Sequence, residues 1–260
     1  MGGRSFLGVS MVFGRYKKPV NIKNKQNGEN KKQNKAQNIS TRTLTPLSFK
    51  YTKDIDDHLN YLFPDRQTGL HIDPSGAKYQ IDINIMYPAY DEEYYVLYTS
   101  GMSSEDMLLP DGLEKDCPEF KRAELLMLLP KNWDIDNMVS PMPKHETYWP
   151  MQLLRMMARY HYEFFTWIGP GYTMEYESFA NNTKLSAAIV LSLGEEISVI
   201  KTRDNNFISL YLVLPLYKEE VKYKMQHGFD AFIDKFEENF PANGGREWIV
   251  DINRKNIGLE

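Results

Sequence analysis

The side chains best suited to chemistry are few and scattered along the chain. His71 and Asp73 stand two apart in a glycine-flanked stretch. They could offer two metal ligands, but a metal site needs three or four. Asp91-Glu92-Glu93 could supply paired carboxyls. Acid–base work requires carboxyls in contrasting environments, and three adjacent acids after Pro88-Ala89-Tyr90 read instead as a solvated turn. Cys117, the single cysteine, sits between Asp116 and Pro118. A neighbouring acid raises a thiol pKa, the wrong direction for a nucleophile. His58, His145, His161 and His227 show no ligand spacing. Gly169-Pro170-Gly171 lacks the Gly-Lys-Ser/Thr of a phosphate loop, and its proline removes a backbone donor. Nucleophile-elbow and His-Glu-x-x-His patterns are also missing from the sequence. These residues point to no catalytic centre, metal or cofactor. The enzymatic alternative is an unrecognised hydrolase using His71, Asp73 or Asp91.

The elements that would position these residues mix strands and helices. Tyr79, Ile81, Ile83, Ile85 and Tyr87 alternate with Gln80, Asp82, Asn84 and Met86, which predicts a strand with one buried face. Tyr94–Thr99 reads as a second strand, and the apolar run Ala123–Pro130 as a central one. Further strands are predicted over 183–193, over 248–251, and in a hairpin of 197–202 and 207–214 that Pro215 stops. Helical spacing predicts helices near Ile55–Phe63, from Tyr148-Trp149-Pro150 to about Tyr162 with Pro150 at its favoured first position, over 218–227 and over 229–239. Residues 69–76, 101–120 and 134–147 read as loops. Trp133 and Trp149 are expected in the core. The order lacks a βαβ alternation, so the fold class is α+β: a single domain with a mixed, mostly antiparallel sheet flanked by helices.

Charge divides the chain in two. Residues 1–50 carry eleven Lys and Arg against one acid, Glu29, about +10; the remaining 210 carry 20 bases and 34 acids, about −14. The lysine- and amide-rich stretch 14–46 predicts a disordered tail, giving a tail over 1–50 and a domain over 51–260. An acidic body argues against nucleic acid as its partner. No apolar run reaches the ~20 residues of a membrane span. Phe6–Phe13 is apolar, but Arg15-Tyr16-Lys17-Lys18 follows in place of a cleavage site, and one cysteine suits a reducing compartment, so a cytoplasmic location is expected.

Several strings, in order, resemble the suppressor-of-fused family. They are Tyr94–Ser103 with its Thr-Ser-Gly-Met, Ala123–Trp133 with Glu-Leu-x-x-x-Leu-Pro-x-x-Trp, Trp149–Arg159, Phe179–Leu185, Pro215–Glu220 and Val250–Arg254. The resemblance spans about Ile55 to Ile257 and implies a non-enzymatic protein-binding domain. It is similar to the stand-alone bacterial members, several of which act as immunity proteins or antitoxins. That implies a protein partner, such as a basic toxin encoded nearby; the alternative is a regulator that sequesters a transcription-factor or other peptide. In the animal proteins a Tyr after Trp-Pro contributes to the peptide site, and Tyr160 stands at that place. An Asp of the same site corresponds to Gly171 here. The expected binding surface is therefore Tyr160 with the Gly169–Gly171 loop, sharing one rim with Asp91, Glu92 and Glu93. Oligomeric state is left open.

Overall fold

The computed structural model describes residues 49–90 and 92–259. The expected tail over 14–46 and Asp91 lie outside the described residues.

Among the described residues eight strands form one sheet: β1 (Thr68–His71), β2 (Asp82–Met86), β3 (Tyr94–Ser100), β4 (Ala123–Pro130), β5 (Thr173–Glu175), β6 (Ala187–Leu191), β7 (Val199–Lys201) and β8 (Phe207–Leu216). Their order is β1-β2-β3-β4-β8-β6-β5, with β7 also paired to β8. Every pair is antiparallel except β4–β8, where Ala123 faces Ser209 in parallel register. The helices are α1 (Thr52–Leu62), the single turns α2 (Leu113–Asp116) and α3 (Ile135–Met138), α4 (His145–Phe164), another turn α5 (Glu195–Ser198), α6 (Lys218–His227) and α7 (Phe229–Asn239). The protein is one α+β domain.

Both faces of the sheet are covered, which explains the unbroken apolar runs of β4 and β8. On one face Ile83, Leu97, Leu125 and Met127 pack with Trp149, Leu153 and Met157 of α4. On the other, Val96, Leu126, Leu128 and Leu212 pack with Ile55 and Leu59 of α1 and with Phe232 and Phe236 of α7. Trp149 is fully buried, stacked on Phe179 at 5.0 Å. Trp133 is half-buried rather than core, and donates from Nε1 to the Thr147 carbonyl at 3.1 Å. It meets Trp149 edge-on and so ties the end of β4 to the start of α4.

The strand predicted from Tyr79 begins only at Asp82, because side chains take the backbone before it. The carbonyls of Tyr79 and Ile81 accept from Arg159 Nε and Arg155 Nε, and Ile81 N donates to Asp73. Both faces of β2 are buried, since Asp82 and Asn84 hydrogen-bond in place of facing water. β1 takes up the first three residues of the predicted 69–76 loop, and β5 escaped the sequence reading altogether. Residues 248–251 form one parallel bridge, Leu128 with Ile249, rather than a strand. The strand expected to stop at Pro215 continues to Leu216. Helix α4 starts earlier, at His145, so Pro150 lies inside it rather than at its first position. A proline there cannot donate to the carbonyl four residues back. That carbonyl, of Glu146, accepts instead from Asn182 Nδ2 at 3.3 Å.

Candidate functional site

The strings that carry the resemblance meet one another inside the protein. Glu124 of β4 is fully buried. It accepts hydrogen bonds from Thr99 Oγ1 (2.6 Å), Gly101 N (3.0 Å), Ser103 N (2.9 Å) and Ser103 Oγ (2.7 Å). One carboxylate thus shapes the whole Thr-Ser-Gly-Met-Ser turn. Gly101 has φ +120°, and a Cβ there would come within 2.5 Å of the Gln80 carbonyl oxygen. Burial pushes the Glu124 carboxyl up to about 7 despite these donors. Glu220, also fully buried, faces Arg254 in a two-pronged pair, Nη1–Oε1 2.5 Å and Nη2–Oε2 2.6 Å. Its oxygens also accept from Tyr217 N and Ile257 N.

A third staple absorbs the enzymatic candidates. Asp73 pairs with Arg159 and accepts from Ser75 N, Ser75 Oγ and Ile81 N. Burial alone would raise the Asp73 carboxyl, but the hydrogen bonds from Ser75 and Ile81 and the Arg159 charge bring it below its ordinary value. Nδ1 of His71 faces Arg155 Nη2 at 3.0 Å; a guanidinium only donates, so Nδ1 accepts. Burial and Arg155 lower the His71 pKa. His71 and Asp73 do converge, but on two cations, a donor set that suits an anchor for β1 and α4 and opposes a metal ion. Among the described residues no group of three or more His, Cys, Asp and Glu could hold a metal. The Cys117 thiol is raised by burial and by Glu119 and Asp116.

The expected binding residues separate into two ends of the sheet. Tyr160, half-buried on α4, packs its ring against Phe164 (4.5 Å) and Tyr172 (5.8 Å). Gly171 has φ +82°; its N donates to Val190 O (2.7 Å) and its carbonyl accepts from Lys224 Nζ (2.6 Å). Gly169 is buried, and its carbonyl accepts from Tyr172 N. Tyr160 and the 169–171 loop therefore adjoin through Tyr172, whose hydroxyl is held protonated by burial and by its bond to Tyr160. Glu92 and Glu93 do not join them. The Glu93 carbonyl accepts from Lys131 N, beyond the C-terminal end of β4, whereas Tyr162 bonds the Gly101 carbonyl past the far end of β3. β3 has seven residues, so the two ends stand roughly 20 Å apart. Glu92 is half-buried against Arg66.

What the sequence reading missed lies beside Tyr160. Phe164 and Phe165 are 61% and 77% exposed, and Leu108 is 66% exposed. Leu108 N donates to the Thr166 carbonyl at 3.2 Å, which fastens it beside the two rings. Phe165 closes α4 at φ +50°, ψ +55°, a left-handed conformation that usually falls to glycine. The helix thus ends by presenting an aromatic ring to solvent at the cost of backbone strain, an arrangement that gathers at binding sites. The signal in the sequence was the pair Phe164-Phe165 off the helix stripe with no glycine to stop the helix.

The chain matches the family model for suppressor of fused protein (SUFU) over residues 77–255. It is 30% identical over 145 residues to the uncharacterized protein UU111 of Ureaplasma parvum serovar 3, covering 53% of this chain and 63% of that protein. The chain thus spans less than two thirds of the length of this curated relative. Among solved structures, a SUFU homolog from Neisseria gonorrhoeae FA 1090 aligns at TM-score 0.55 and 16% identity, over 80% of this chain and 97% of that one. A chain of the Sufu–Fu complex aligns at 0.54 and 15%, over 79% and 91%. Drosophila Suppressor of Fused aligns at 0.51 and 15%, over 79% of this chain and 51% of its own. The family model covers well over half of the sequence, and the chain belongs to the suppressor of fused family.

Proposed function

We propose that this chain is a non-catalytic protein-binding domain that captures a partner on the aromatic face at the end of α4, and that the partner is a basic toxin it neutralises. The observation that carries the reading is that face: Tyr160, Phe164, Phe165 and Leu108 stand together, half-buried or exposed, around a strained helix end. Exposed aromatic groups beside a rigid helix are the usual energetic anchors of an interface. The acidic body, near −14, suits a basic partner and would speed its capture. On this reading Glu92 and Glu93 contribute only long-range attraction from the other end of the sheet.

Membership in a family whose Sufu is found in complex with Fu supports a protein partner in general and favours a second reading, sequestration of a regulatory protein. Co-expression with the product of the adjacent gene separates the two. Pull-down together with growth rescue supports the toxin reading, and pull-down without any toxicity supports the second. Tyr160→Ala and Phe164→Ala should each weaken capture by about 10- to 100-fold while leaving the melting temperature within a few degrees. Turnover of a substrate that is lost on His71→Ala would overturn the binding reading.

A further inference from the structure

We propose that residues 6–18 of this same chain occupy the aromatic face at the end of α4 when no partner is bound. The face is apolar at its centre and acidic at its rim. Leu108, Phe164 and Phe165 are exposed, and Glu163 and Glu105 lie exposed beside them. Glu105 is close enough to Tyr162 of α4 for its charge to raise that phenol. An occupant therefore needs an apolar run joined to a short basic one. The sequence holds such a run in Phe6-Leu7-Gly8-Val9-Ser10-Met11-Val12-Phe13, followed after one glycine by Arg15, Lys17 and Lys18. In an extended segment Leu7, Val9, Met11 and Phe13 would form one continuous apolar row, with Phe6, Gly8, Ser10 and Val12 on the other side.

A relay of side chains leads from the start of the described chain, on the other face of the sheet, towards this one. The Tyr51 ring lies 5.4 Å from the Arg122 guanidinium. Arg122 Nη2 is 2.5 Å from Asp106, two residues before Leu108. Thirty-five residues lie between Phe13 and Phe49. Even a flexible coil of that length spans roughly 30 Å, ample for the distance, and holds its end at an effective concentration in the millimolar range. A segment of weak intrinsic affinity, on the order of 0.1 mM, would then occupy the face most of the time. The opposite net charges, about +10 in residues 1–50 and −14 in the remainder, act in the same direction. A partner would have to displace this segment, which makes capture slower and more selective.

The test uses the full-length chain without any partner, so it is read independently of whether a toxin or another partner is ever found. Amide hydrogen exchange is measured over residues 105–109 and 160–167 in the wild type, in L7D/V9D/M11D and in R15E/K17E/K18E. Exchange there should quicken roughly fivefold in both variants, with the remaining peptides unchanged. A synthetic peptide of residues 4–18, added to L7D/V9D/M11D, should restore protection, and E105K/E163K should abolish that rescue. Equal exchange in wild type and variants would overturn the proposal. So would protection that grows with protein concentration, because the occupant would then come from a second copy.

Discussion

Two regions of this protein hold their unusual residues for opposite ends. In the interior, Glu124, Glu220 with Arg254, and Asp73 with Arg155 and Arg159 sit where charge is costly, and each is saturated with partners. At the end of α4, apolar rings stand where water is plentiful. Each breaks the rule that polar groups face out and apolar groups in, but only the interior compensates within the fold. Conspicuous sequence strings here report how strands and helices are pinned, whereas the open aromatic face is where a second molecule or segment would find uncompensated surface.

The sharpest way to break the interior half of this comparison is Arg254→Ala. It leaves the buried Glu220 carboxylate without its cation, held only by two backbone N–H groups, and frees the Pro215 carbonyl that Arg254 Nη2 also holds. Removing one member of a buried pair costs about 3–5 kcal/mol. Urea melts should show a loss of that size. A loss below about 1 kcal/mol would mean that water reaches Glu220, and that the pair is not the staple described.

The sequence made part of this contrast legible. The apolar runs of β4 and β8 and the spacing of α1, α4, α6 and α7 were readable because burial repeats with a fixed period. β1 and β5 were not, being four- and three-residue edge strands whose pairing is decided by neighbours distant in sequence. The staples were visible as strings but not as staples. Nothing in Glu124 or Gly101 alone says that the two meet, and the 3.0 Å contact exists only once β3 and β4 pair. The same limit applied to Glu92 and Glu93, whose separation from Tyr160 follows from which end of β3 each adjoins.

A smaller effect sharpens the interior itself. In the folded protein Glu124 titrates near 7, raised by burial, so it keeps a proton that the unfolded chain has already lost above about 4.5. Its contribution to stability is full below about pH 4.5 and is lost as pH rises through 7, roughly 3 kcal/mol in all. His161, 4% exposed, is pushed by burial down to about 4, so its contribution is full above about 6.5 and is lost as pH falls through 4. Between pH 4.5 and 6.5 the two slopes oppose each other. Glu124→Gln removes one of them, and the stability of the variant should rise with pH relative to wild type by about 1.4 kcal/mol per unit across that window. Parallel stability curves for wild type and variant would show that Glu124 stays charged in the folded state.

The smallest expected change in stability tests the other half of the comparison. Phe165 sits at φ +50° with its ring 77% exposed, so Phe165→Gly gives up little packing and relieves a left-handed conformation. In an ordinary helix end that exchange stabilises by up to about 1 kcal/mol. Phe165→Gly should therefore leave the melting temperature equal or slightly higher, while capture of a protein partner weakens about tenfold or more, the loss expected for one aromatic anchor. Phe165→Ala separates the two causes, since it removes the ring but retains the strain: it should lose capture as the glycine variant does without gaining stability. If Phe165→Gly were to destabilise the protein by more than about 1 kcal/mol, the ring would be packing against the body, and the end of α4 would belong with the compensated interior.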